Sequence, residues 1–260
     1  MANILYIILD VGGTPSPLEQ GYADIMTSLG HTVTPMGSSQ VFDSHVNSSD
    51  GVVFSPQSQT SPNVTWLSAS KNILTLKSYR ARDIGLCNTG NIGSSQTDTL
   101  VTDDTHPIAT GFSNGSIALF TSACSLQYMT SMALGADIIS TGGGGDQIAV
   151  VEQGATMRNG LPAPSRRVHF PSAEDAVFAD STADNNTLFA NAFNYAMFGA
   201  VANQPEVVDK SIFKGEIRLN KVIHFTGVLF QTNSGNSIQA TCEALTSAVS
   251  ISISGYYINA

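Results

Sequence analysis

Apolar positions in the first part of the chain predict alternating strands and helices. Residues 3–9 form an almost unbroken apolar run, typical of a strand covered on both faces. Between residues 18 and 29, apolar side chains recur every three or four residues, and Gly30 stands where a helix commonly ends. Three more strands are predicted at residues 31–36, 50–54 and 71–77. A strand, a helix and a strand at this spacing form a right-handed βαβ unit, so we expect an α/β fold with a parallel sheet and helices on both faces.

The middle of the chain is richer in strands and closes with a helix. Short apolar runs predict strands at residues 116–120, 136–139, 147–152 and 166–170. The glycines from Gly142 to Gly145 separate two of these runs and predict a hairpin turn. A last helix is predicted at residues 185–198, with Asp184 as its N-cap and Gly199 just after its end.

The composition changes after residue 200, which predicts two domains, an α/β domain over residues 1–203 and a β-rich module over residues 204–260. The run at residues 221–230 carries apolar side chains on both of its faces, and a module of this size can hardly cover both faces alone. We therefore expect the module to dock on the first domain or on other copies of the chain. The predicted interface residues are Val222, Phe225, Val228, Phe230, Tyr256 and Tyr257.

The charge pattern excludes several partners. The chain has 20 acidic and 11 basic residues, a net charge of −9, and only 12% charged residues. No Lys or Arg precedes Lys71 and none lies between Arg82 and Arg158, whereas nucleic-acid surfaces need clustered cations. No apolar run approaches the roughly 20 residues of a membrane span. We expect no nucleic-acid or membrane partner, and synthesis in the cytoplasm without a signal peptide, because the first residues lack a basic segment.

Several segments resemble one known family. Residues 3–36, including Leu29-Gly-His-Thr-Val33, resemble the opening of a class I glutamine-amidotransferase-like domain, which is flavodoxin-like and ThuA-like in fold. Asp103-Asp-Thr-His-Pro-Ile-Ala-Thr-Gly-Phe112 is similar to a segment of bacterial domains of this fold. Residues 163–169 and 188–196 resemble the closing strand and the last helix of the family. The resemblance covers about residues 1–200 and does not extend over residues 204–260.

The resemblance implies a place for catalytic residues, and the chain departs from it. Active amidotransferases of this fold carry a cysteine on a sharp strand-to-helix elbow after the third or fourth strand, with a His and a Glu near the end. The third strand here leads into Phe54-Ser-Pro-Gln-Ser58, which contains no cysteine. Cys87 follows the fourth strand without a Gly-x-Cys-x-Gly frame, and no His-x-Glu pair occurs late in the domain. We therefore predict a degenerate domain that is not an enzyme.

Two small groups of residues remain as candidate sites, and each also has a purely structural explanation. Cys87 with His106 or His169 would form a nucleophile and its base, or the thiol is simply buried. Asp103, Asp104 and His106 would form an acid–base or metal cluster, or they satisfy backbone donors in a loop before the next strand. We predict neither a cofactor nor a metal.

Together these patterns favour a structural or assembly protein. A cytoplasmically made chain with an acidic domain and a neutral β-rich end suits a bacteriophage virion component, such as a capsid decoration or tail-associated protein at the virion surface. Its partners would be other subunits, in a homo-oligomer or a capsid or tail lattice. Two alternatives stay open: a ThuA-like or hydrolase-type enzyme that acts on a sugar or an amide, and a carbohydrate-binding surface module with a glycan as partner.

Overall fold

A mixed β-sheet forms the centre of the molecule. The computed structural model describes residues 1–9, 12–59, 61 and 63–199, and within them the sheet has 11 strands. In chain order the strands are β1 (Asn3–Ile8), β2 (Thr32–Gly37), β3 (Gly51–Phe54), β4 (Asn72–Thr75), β5 (Cys87–Ile92), β6 (Asp98–Val101), β7 (Gly115–Ala118), β8 (Gln127–Met132), β9 (Ala136–Gly142), β10 (Gly145–Val151) and β11 (Arg167–His169). The helices are α1 (Pro17–Ser28), α2 (Asp43–Ser48), α3 (Ser78–Asp83) and α4 (Ala183–Phe198).

The sheet is parallel at one end and antiparallel at the other. Its order is β2-β1-β3-β4-β11-β10-β9-β6-β7, and β8 pairs with both β10 and β5. The first five strands in this order are parallel, and every other pairing is antiparallel. The α/β flavodoxin-like class predicted from the sequence is confirmed, but the sheet is mixed rather than parallel throughout.

Antiparallel strands need only a short connection, and the glycine-rich turn supplies one. Gly143 and Gly144 join β9 to β10 with φ of 66° and 101°, so both central residues are left-handed, as a tight hairpin turn requires. The predicted hairpin is therefore confirmed.

Helices cover both faces of the sheet, as predicted. Ile4, Tyr6 and Ile8 of β1 pack with α1 and α4, whereas Leu5 and Ile7 belong to the opposite core, which includes residues of α2 and α3. This two-sided burial explains why β1 is an unbroken apolar run. None of the helices in the described part of the chain is long and apolar enough to cross a membrane.

The N-cap of the last helix differs from the prediction. Thr182, not Asp184, caps α4, because its Oγ1 accepts the Asn185 N–H at 3.0 Å. The capping oxygen must lie just before the first helical residue, and Asp184 already lies inside the first turn, where a carboxylate favours the helix dipole instead.

The division of the chain into units falls after residue 200, and all described residues belong to the first unit. The predicted boundary at residue 203, the β-rich module over 204–260 and its six interface residues lie outside the described residues. They stay predictions.

Candidate functional site

The turn after β4 is one of the two places where the resemblance implies an elbow. This strand ends at Thr75 and α3 begins at Ser78, so only two residues turn the chain. Thr75 Oγ1 donates to the Lys77 carbonyl at 2.9 Å and accepts the Lys77 N–H at 3.1 Å, which fixes the turn. The first helical side chain is Ser78, and it is fully buried. This one of the two candidate elbows thus presents a serine that lies within the core.

The polar groups of Ser78 are all engaged. Its N–H donates to Gln127 Oε1 at 2.5 Å, and its hydroxyl donates to the Asn91 carbonyl at 2.7 Å and lies 3.1 Å from Gln127 Oε1. Gln127 is itself fully buried, and its Nε2 donates to the Pro56 carbonyl at 3.2 Å. No hydrogen bond between the described residues links Ser78 to a histidine. Its hydroxyl is therefore held as a donor and not activated as a nucleophile.

Strand β5 lies directly on this elbow. A Cβ atom added at Gly90 would stand 2.2 Å from both the carbonyl carbon and the oxygen of Ser78, and 2.5 Å from the Tyr79 nitrogen. The backbone of β5 at Gly90 therefore lies so close to the backbone of α3 that only glycine fits at this position. We call the Thr75–Ser78 connection, covered by Gly90 and Gln127, the sealed elbow. Strand β5 thus covers Ser78 on this side.

Cys87 opens β5 and is fully buried. Burial raises the pKa of its thiol to about 12, although Arg158 and Arg82 act in the opposite direction. The thiolate is the nucleophilic form, and burial disfavours that form of Cys87. Among the described residues, no hydrogen bond joins Cys87 to His106 or to His169.

The acidic loop uses its candidate side chains to hold its own backbone. Asp103 Oδ1 accepts both the N–H and the hydroxyl of Thr105, at 3.0 and 2.6 Å. Asp104 and Asn114 exchange two hydrogen bonds of 3.1 and 3.2 Å, and His106 Nδ1 accepts the Ile108 N–H at 3.2 Å. No group of three or more potential metal ligands comes together in the described residues. These contacts are those of a closed loop.

His106 also belongs to a polar cluster that the sequence did not reveal. Its ring lies 4.6 Å from the Tyr195 ring, and the Tyr195 hydroxyl donates to Glu152 Oε1 at 2.6 Å. Arg166 Nε donates to both Glu152 oxygens, at 2.9 and 3.0 Å. Burial alone would raise the pKa of Glu152, but the hydrogen bonds from Arg166 and Tyr195 outweigh it and lower that pKa. Four separate segments supply the cluster, so no local motif marks it.

His169 is fully buried in β11. One ring nitrogen, Nδ1, is hydrogen-bonded to the Gln147 carbonyl, so it carries the proton, while Nε2 has no partner. Burial lowers the pKa of His169 to about 4. The ring is therefore neutral at physiological pH, and His169 is a residue of the core.

The crevice between β1 and β3 is the point where the strand order reverses, which is where open α/β sheets bind ligands. Here Glu19 is buried, and it accepts the Leu9 and Ser16 N–H groups, each at 2.8 Å, and the Ser55 hydroxyl at 2.6 Å. Ser16 in turn donates to Gln57 Oε1 at 2.7 Å. The polar side chains at this edge are thus paired with one another.

Comparison with known proteins yields a likeness of fold. No protein-family model matches the chain, and no curated protein matches it. A ThuA-like protein from Parabacteroides merdae has a TM-score of 0.52 at 11% identity, covering 77% of this chain and 91% of that one. A ThuA-like protein from Bacteroides uniformis has a TM-score of 0.49 at 10% identity, covering 75% and 90%. A cytoplasmic protein from Salmonella typhimurium has a TM-score of 0.48 at 11% identity, covering 75% and 99%. At such identities the likeness concerns the fold alone, and the chain has a ThuA-like α/β fold.

Proposed function

We propose that this chain is a non-enzymatic structural protein whose α/β domain serves as a scaffold for assembly. The observation that carries the proposal is the sealed elbow. An acyl-transfer enzyme of this architecture needs an exposed nucleophile with a base beside it. Ser78 is buried and fully hydrogen-bonded, and the Cys87 thiol is buried with a pKa of about 12. Both features support a scaffold over a catalyst.

The charge distribution supports assembly through the C-terminal end. Residues 1–203 carry 16 acidic and 7 basic groups, so they hold the entire net charge of −9, because residues 204–260 carry four of each. From Val222 to Ala260, Glu243 is the only charged residue. An acidic domain keeps a particle soluble, whereas a neutral, apolar segment is stabilised when a partner covers it. A bacteriophage capsid decoration or tail-associated protein is the most specific form of this proposal.

Light scattering of the full chain tests the proposal. We expect an oligomer, and we expect the double variant Phe225→Asp/Phe230→Asp to fall to the 27.3 kDa mass of a monomer, because two buried carboxylates would oppose the contact. Ser234→Asp, in the predicted turn, is the matched control and should leave the oligomer intact. A monodisperse 27.3 kDa wild-type monomer would contradict the proposal.

A hydrolase acting on a sugar or an amide is the second candidate. It is favoured by one observation, the packing of His106 against Tyr195, whose hydroxyl donates to Glu152. A screen of glycoside and amide substrates distinguishes the two candidates. Activity that is lost in a folded His106→Gln variant would support the hydrolase, and no activity would support the scaffold. A glycan array separates both from a carbohydrate-binding module.

A further inference from the structure

The last turn of α4 is held by two histidines that the proposed function does not use. His106 lies against Tyr195 with ring centres 4.6 Å apart. His31 lies 5.2 Å from Phe193, and it stacks on Phe198 at 5.2 Å with the ring planes 18° apart. Each aromatic side chain of this turn therefore rests on an imidazole ring from a distant segment.

Both histidines hold their positions as hydrogen-bond acceptors. His106 Nδ1 accepts the Ile108 N–H at 3.2 Å, and His31 Nδ1 accepts the Ala2 N–H at 3.3 Å. An imidazole nitrogen accepts a hydrogen bond only when it carries no proton, and a protonated ring is a donor at both nitrogens. Protonation therefore turns each of these contacts into two donors that face one another.

The charges around His106 act in both directions. Asp103 in its own loop, Asp137 on β9 and Glu152 after β10 favour the protonated ring, whereas Arg166 before β11 opposes it. Burial outweighs the carboxylates and lowers the pKa of His106 below its usual 6.5. In a ring that has swung free of the Ile108 N–H, the same carboxylates would become partners. The cluster thus offers His106 two arrangements, one for each protonation state.

The charges around His31 act in one direction. Burial lowers its pKa, and the positive amino group of Met1 lowers it further. Its ring neighbours, Phe193 and Phe198, carry no charge. Among the described residues, no carboxylate raises the pKa of His31, so protonation of this ring gains no compensating charge there.

The remaining contacts of the helix end do not titrate in the same range. Arg166 donates to the Tyr195 carbonyl at 3.0 Å, and Asn72 Nδ2 donates to the Met197 carbonyl at 2.9 Å. These donors bond to carbonyl groups near the C-terminal end of α4, where intrahelical partners run out. They do not titrate with the histidines, so the turn opens against them, whereas the buried Leu188, Phe189 and Ala192 keep the body of α4 on the sheet.

We propose that residues 193–199 form an acid-sensitive latch, closed while His31 and His106 are neutral and released when both rings take up protons. Release frees the aromatic side chains of the turn and leaves the rest of α4 packed. The inference does not depend on the proposed function, because it concerns only contacts within the α/β domain.

Amide hydrogen exchange in the full chain at pH 7.5 and 5.5 tests the latch, with rates corrected for the intrinsic effect of pH. The Gly199 N–H, which donates to the Tyr195 carbonyl at 3.0 Å, reports on the turn, and α1 serves as the internal reference. We expect exchange in the turn to accelerate about tenfold on acidification, which corresponds to one pKa unit of coupling. The double variant His31→Gln/His106→Gln keeps an acceptor at each position but does not titrate, so its acceleration should vanish.

His45→Gln is the matched control. His45 lies on α2, which covers the other face of the sheet, and its Nδ1 accepts the Phe42 N–H at 3.2 Å in the same manner. This variant should respond to pH as the wild type does. An acceleration below fivefold in the wild type, or an equal one in the double variant, overturns the latch. Should the double variant not fold, NMR titration of the wild-type rings decides, because a pKa of 6.5 or above for both histidines would refute the proposal.

Discussion

Replacement of Gly90 by alanine is expected to lower the free energy of unfolding by about 3 kcal/mol or more. The new methyl group would lie 2.2 Å from the carbonyl atoms of Ser78, and backbone atoms of a helix start cannot move aside cheaply. Either β5 separates from α3 or the Ser78 hydrogen bonds to Gln127 are lost. Urea denaturation followed by circular dichroism measures the change.

Gly51→Ala is the control that separates backbone contact from mere crowding. Gly51 is also a buried strand glycine, and a Cβ there would lie 2.2 Å from Met197 Sδ. That atom is near the flexible end of a side chain, so it can shift, and we expect a loss below about 1.5 kcal/mol. Equal losses in the two variants would mean that β5 is not fixed on the elbow.

Acidification from pH 6.5 to pH 4 is expected to remove about 3 kcal/mol of stability through His169 alone. The pKa of this buried ring is about 4 in the folded protein, against 6.5 for an ordinary histidine. The unfolded chain therefore binds the proton first. The stabilisation is complete above pH 6.5 and is lost as the pH falls towards 4, at about 1.4 kcal/mol per unit.

His169→Gln identifies this contribution in a series of urea titrations across pH. A glutamine can still donate to the Gln147 carbonyl but does not titrate, so the variant should lose stability at pH 7 and depend less on pH than the wild type. His45→Gln should keep the wild-type dependence. If His169→Gln and wild type lose stability in parallel between pH 6.5 and 4, the buried histidine is not the cause.

Local patterns were sufficient for the parts of the fold that follow from local physics. The apolar run of β1 reflects a strand that is buried along most of its length, and the helical spacing of α1 reflects one buried face. The hairpin at Gly143 and Gly144 is equally local, because two consecutive residues adopt positive φ. These elements were predicted from the sequence.

The strands around the elbow could not be predicted in this way. Along β5 only Cys87 and Gly90 are buried, so the segment lacks the apolar run by which its neighbours were identified. It pairs with β8, which is distant in the chain, and that pairing determines where Gly90 lies. A glycine required by close backbone approach has no signature in a single sequence.

The resemblance implied an elbow after the third or the fourth strand and named no serine for it. The turn from β4 to Ser78 is one of these two places. That Gln127 would reach the Ser78 N–H across 49 residues depends on the tertiary fold. The N-cap of α4 shows a limit of local patterns. Asp184 was predicted to cap the helix, but Thr182, two positions earlier, is the capping residue. A shift of two residues is beyond the resolution of a pattern.

The exchange rate of the Ser78 amide proton tests the sealed elbow most directly. NMR exchange of the full chain at pH 7.5 compares this proton with those of β3 and β4 in the same sample. Because the Ser78 N–H is buried and bonded to Gln127, we predict that it exchanges only with global unfolding, at the rate of the slowest strand amides. Exchange of Ser78 within minutes, while β3 and β4 stay protected, would show that the elbow opens to solvent and would contradict the account.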